Sequence, residues 1–140
     1  MNWQEQAATS HYQTAVAIQQ ELGAGHIEDA KAGIEELVDA LSRADRRALK
    51  SHLVRLMAHV IKWQTQPQKR SRRWAATIRS ARTAIQDIQE DTPSLTDDVI
   101  RAMWDSCFES AKDQAESELD EEVTVASLLW DEVFGIDYRV

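Results

Sequence analysis

Two histidines seven residues apart, His52 and His59, and a single cysteine, Cys107, are the side chains whose types could do chemistry beyond packing. Seven positions make two helical turns, so both imidazoles fall on one face, and a thiolate from a facing helix could begin a zinc site with them. The patterns that would strengthen such a reading are missing: the chain has no Glu-x-x-His pair and no His-Glu-x-x-His. The plainer reading makes each histidine a hydrogen-bonding residue at the edge of the core and the cysteine a small buried hydrophobe. No metal and no other cofactor is therefore expected, with His52, His59 and Cys107 kept as weak metal candidates. Nucleophilic catalysis has less support still, because neither a Gly-x-Ser-x-Gly elbow nor a phosphate-cradling glycine loop occurs. No catalytic residue is assigned, and a non-enzyme is favoured over an enzyme centred on His52 and His59.

A second constellation is basic. In "QPQKRSRRW" the cluster Lys69, Arg70, Arg72 and Arg73 follows Pro67, with Lys62 before it and Arg79 and Arg82 beyond. Ser71 has the side chain to cap a helix, which puts Arg72 and Arg73 in a first turn where the helix dipole disfavours cations by a few tenths of a kcal/mol each. A broken local rule asks for a compensating partner. A phosphate or nucleic acid would gain from helix N-terminal amides and guanidinium forks together. The partner can equally be internal. A hairpin turning near residue 92 sets position 72 opposite roughly position 113, bringing Asp113, Glu116, Glu118 and Asp120–Glu122 beside Lys69–Arg73. Internal pairing is the preferred expectation, an acidic protein or a second copy comes next, and nucleic acid last. Lys62 reads more simply as a cation near the negative C-terminus of its helix.

The charge distribution supports that order. Residues 1–42 carry a net −6, residues 43–82 a net +11 and residues 83–140 a net −13, giving −8 overall. With a pI near 4.9, the global field opposes a polyanion even though the middle attracts one.

The elements that position these residues read as helical throughout. At 140 residues, a single domain is expected. A first helix should run from about Trp3 to Leu22, with Ala7, His11, Ala15, Ile18 and Leu22 on one stripe, and Gly23–Gly25 should stop it. A second begins near Glu28 and runs to Leu41. At Ser42, "SRAD" has the form of a capping box, so a kink is expected there. The next helix, to Gln64, carries Leu49, Leu53, Leu56, Val60 and Trp63 at core spacing; Trp74, Ile78, Ala81, Ile85 and Ile88 repeat it after the corner. Pro93 breaks the chain, with Ser94 and Asp97 offering another capping box. A helix from Leu95 to about Leu119 and a short one near Ser127–Phe134, lying across the rest, complete an all-α, antiparallel bundle of four main helices plus a short C-terminal helix. The lone cysteine fits a reducing cytosol, and no leader pattern or long apolar run points to export or a membrane.

From Asp29 to about Ile100 the chain resembles a bacterial family known only as domain of unknown function 29. The residues that carry the likeness are Glu35–Leu37, His59–Gln64, Gln66-Pro67, Arg70-Ser71, Trp74, Thr77-Ile78, Arg82 and Pro93–Leu95. Gly33 stands where that family usually has leucine. The resemblance implies an all-helical protein and brings no activity or site residue with it. The expected function is that of a non-enzymatic interaction or regulatory protein, cytoplasmic, working through a protein partner or self-association. The alternatives are a nucleic-acid or anion binder using Lys62, Lys69, Arg70, Arg72, Arg73, Arg79 and Arg82, or a site at His52 and His59.

Overall fold

Seven α-helices and one 3-10 turn make up all the regular secondary structure of the computed structural model, which describes residues 1–140 and contains no strand. None of the helices is long and apolar enough to cross a membrane. The chain divides into two compact units, Met1–Arg47 and Ala48–Val140.

The first unit holds α1 (Trp3–Thr9), α2 (His11–Gly23) and the beginning of α3 (Ile27–Thr65). The single helix expected from Trp3 to Leu22 is broken at Ser10. That residue is extended (φ −155°, ψ 117°), its amide still donates to Gln6 O at 3.0 Å, and its Oγ accepts from Gln13 N at 3.1 Å. A hydroxyl that satisfies free amides of a new first turn competes with continuing the old helix. The break rotates the buried stripe: Trp3, Ala7, Thr14, Ala17 and Ile18 are buried, whereas His11, Ala15 and Leu22, expected on the same stripe, are exposed. Gly25, at φ 85°, turns the chain into α3 in the left-handed region that glycine enters without a Cβ penalty.

Gly33 has a packing reason. A Cβ built there would lie 2.7 Å from Ile18 Cγ1 and 3.0 Å from the Trp3 ring. The Trp3 indole, whose Nε1 donates to Asp29 Oδ1 at 3.0 Å, fills the space that a larger side chain would need.

No restart occurs at Ser42. α3 is continuous helix from Ile27 to Thr65, with an Arg43–Asp39 ion pair spanning the point where the kink was expected. Good helix formers (Ala40, Leu41, Ala44) surround the serine and no glycine or proline is near, so the capping pattern has no break to cap.

In the second unit, the expected seam Leu49, Leu53, Leu56, Val60 and Trp63 is buried, as are Ile78, Ala81 and Ile85 of α4 (Arg72–Asp91). Trp74 and Ile88 are half-buried against the same core. Thr96, not Ser94, caps the next helix through Val99 N. The helix expected to reach Leu119 is divided at Met103 into α5 (Asp97–Ala102) and α6 (Trp104–Leu119), the Met103 amide being shared between the carbonyls of Val99 and Ile100 at 3.2 Å. The last helix, α7, is shorter than expected, Trp130–Phe134. Residues 120–129 are not helical, as suits the β-branched Val123-Thr124-Val125.

The tail is strapped down by its own polar groups. Trp104 Nε1 donates to Leu128 O (3.2 Å), Gln64 Nε2 to Glu132 Oε2 (2.6 Å), Arg82 Nε to Val133 O (2.8 Å) and the Tyr138 hydroxyl to Glu132 O (2.6 Å). Val123, Leu128, Val133 and Tyr138 are buried beneath it.

Candidate functional site

The basic corner is built by three local devices. Pro67 opens the 3-10 turn Pro67–Lys69; Gln66, buried, donates its amide to Glu121; and Ser71 Oγ accepts from Trp74 N at 3.1 Å, starting α4. The turn leaves Lys69, Arg70, Arg72 and Arg73 close in sequence, but their side chains meet different fates.

Lys62, Arg70 and Arg82 are engaged by partners within the chain, Lys62 buried, Arg82 half-buried and Arg70 exposed. Lys62 is only 5% exposed, ion-paired with Glu118, with Nζ 5.3 Å from the centre of the Trp74 ring. Arg70 folds back: its Nε donates to Trp63 O at 2.8 Å and its guanidinium lies over the Trp63 ring. Arg82 is half-buried, donating to Val133 O and stacking 5.5 Å from Tyr138, while its Nη2 is buried without a partner. Burial lowers the Arg82 pKa, opposed by Tyr138, Asp137 and Asp131.

Lys69, Arg72, Arg73 and Arg79 are exposed and make no ion pair or side-chain hydrogen bond. The expected pairing of Lys69–Arg73 with the acidic stretch Asp113–Glu122 is therefore corrected. That stretch does reach the corner, but Glu118 is taken by Lys62 and Gln114, and Glu121 by Gln66. The hydrogen bond from Lys62 is the largest influence holding the Glu118 carboxyl below its ordinary value.

The other candidates are not brought together. His52 Nδ1 accepts from Arg55 Nη2 at 3.2 Å, and His59 Nδ1 donates to Arg55 O at 2.9 Å. Burial, then the charge of Arg55, lowers the pKa of His52; for His59 burial comes first, with Lys62 and Arg55 adding and the Arg55 carbonyl and Glu118 opposing. Cys107 is wholly buried, which raises its thiol pKa. No three His, Cys, Asp or Glu side chains are grouped to hold a metal ion. Both histidines are half-buried on α3 and hydrogen-bonded to Arg55.

Two features were not expected from the sequence. Arg139 joins Arg72, Ala75, Arg79 and Val140 in lining a recess of about 190 Å³. As the last base of a strongly acidic tail, its isolation among Asp131, Glu132 and Asp137 was the available signal. The Trp104 and Trp130 rings stack at 5.4 Å, with Phe134 tilted against both and Arg101 4.6 Å over Trp130. These four residues span 34 positions and share no local motif.

No curated protein and no solved structure matches the chain. The family model described as Domain of unknown function DUF29 matches residues 20–129, extending at both ends beyond the stretch from Asp29 to about Ile100. The match covers most of the 140 residues, and the chain belongs to the Domain of unknown function DUF29 family.

Proposed function

We propose that this protein is a non-enzymatic helical interaction module of the bacterial cytoplasm that binds another protein, or a second copy of itself, through its first unit. The observation that carries the reading is the placement of exposed apolar side chains. Of the ten large hydrophobic residues left exposed, seven lie within Met1–Arg47: Met1, Tyr12, Leu22, Ile27, Ile34, Val38 and Leu41. Scattered exposed hydrophobes are ordinary on a soluble protein, whereas a contiguous row of them marks a contact surface.

Four of them form such a row. Ile27, Ile34 and Leu41 recur every seven residues along α3 and Val38 stands one turn from Ile34, so all four share one face of that helix. Val38 is 61% exposed. Glu35 and the ion pairs Glu28–Lys31 and Asp39–Arg43 stand exposed on the same helix, which favours an amphipathic partner with a polar rim of mixed charge. A buried, unreactive thiol fits a reducing compartment.

Sedimentation velocity over a concentration and salt series, with affinity capture from lysate, tests the proposal. The wild type should self-associate or retain a partner, and Val38→Glu should abolish that complex while its far-UV circular dichroism stays unchanged. A strict monomer that retains no partner refutes the reading, as does a complex indifferent to Val38→Glu.

A further inference from the structure

We infer that the recess between Arg72, Arg79 and Arg139 is a binding site for a phosphate dianion, free or as a monoester. The inference is independent of the interaction surface on the first unit and concerns residues of the second.

Arg72 and Arg79 are seven residues apart on α4, so their side chains leave the same face of the helix two turns apart. Ala75 lies between them, buried, and its single methyl leaves the floor of the recess open. Arg139 brings a third guanidinium from the C-terminal segment to the rim, held there by Asp137, which its Nε and Nη2 both reach at 2.6 Å. Arg72 and Arg79 have no such partner. Two arginines that line one recess and have no carboxylate partner can supply paired N–H donors to the oxygens of a tetrahedral anion.

The electrostatics point the same way. Arg72 is the first residue of α4, where the helix dipole is positive and a cation is locally unfavourable. None of the acids expected to relieve it pairs with it, and two of them, Glu118 and Glu121, are engaged by Lys62 and Gln66. A bound dianion would offset the charges of Arg72 and Arg79 together. The recess, about 190 Å³, is too small for a stretch of duplex, so a single phosphate group is the ligand that fits.

Isothermal titration of the full chain with inorganic phosphate and with phenyl phosphate, at low salt, tests the assignment. Both probes are expected to bind at one site, and tighter binding of phenyl phosphate identifies a monoester as the preferred source. The double variant Arg72→Ala/Arg79→Ala, whose residues are exposed, should keep its fold and lose affinity at least about tenfold. Lys69→Ala/Arg73→Ala, which removes as much charge outside the recess, should change affinity less than about twofold. Absence of binding at about 10 mM phosphate would overturn the inference, as would equal losses in the two double variants. A 20-base-pair duplex that binds more tightly than either probe, with a salt slope reporting about four or more phosphate contacts, would overturn it too, in favour of an extended polyanion surface.

Discussion

Substituting the two partners of the Lys62–Glu118 pair should have unequal effects, because they are unequally buried. Lys62 is 5% exposed, while the side chain of Glu118 is 44% exposed. Glu118→Ala strands a buried ammonium, a change that costs about 3–5 kcal/mol when both partners are fully buried. Water can reach the Glu118 end of this pair, so the expected cost is discounted to about 1–2 kcal/mol. Lys62→Met removes the buried charge with its desolvation cost, keeps an unbranched chain against the Trp74 ring, and leaves Glu118 free to hydrate or to keep its bond to Gln114. Its expected effect is within about 1 kcal/mol of zero. Urea unfolding at pH 7, followed by far-UV circular dichroism, measures both. The pH dependence supplies a second reading. A carboxyl held below its ordinary value contributes stability that is present above that value and lost as pH falls through the lowered one. The gap between wild type and Glu118→Ala should therefore close in acid. A Lys62→Met variant at least as unstable as Glu118→Ala would refute the reasoning, since the ammonium would then be stabilising without its partner.

Two further predictions rest on single sites. Gly33→Leu should destabilise by about 3 kcal/mol or more, since its Cβ alone meets Ile18 at 2.7 Å, and Gly33→Ala should lose about 1 kcal/mol because overpacking exceeds the gain in helix propensity. Chemical denaturation of both variants checks this; a stabilised Gly33→Ala would show that the contact relaxes freely. The lowered pKa values of His52 and His59 mean that the unfolded chain binds protons first as pH falls, so stability should decline from the ordinary imidazole value of about 6.5 downward, until the folded-state values are passed. His52→Gln/His59→Gln should flatten denaturation midpoints measured between about pH 7.5 and 5, and an unchanged slope would assign the dependence to other groups.

The helical seams were legible in the sequence because large apolar residues at spacings of three and four can be buried only on one face of a helix, and Leu49–Trp63 and Ile78–Ile85 have no alternative arrangement. Caps were less legible. The serine-to-acid pattern at Ser42 gave no cap and that at Ser94 lost to Thr96, while Ser10, which with Gln13 has the same reciprocal form, divided a helix that apolar periodicity had joined. A cap signal acts only where tertiary packing allows the chain to turn: the burial of Trp3 against Gly33 rewards a turn at Ser10, and nothing comparable acts at Ser42.

The fate of the charges was least legible. Segment charges of +11 and −13 say that pairing is available, but pairing is decided within a few ångströms by residues far apart in the chain, Lys62 with Glu118 and Arg82 with Val133. Those long-range choices engage two of the seven basic candidates, a local bond to Trp63 engages Arg70, and Lys69, Arg72, Arg73 and Arg79 are left uncompensated at contact range. Net charge, which argued against anion binding at the level of the whole chain, is a sum over the whole surface and does not decide it at Arg72 and Arg79, which keep no partner at contact range.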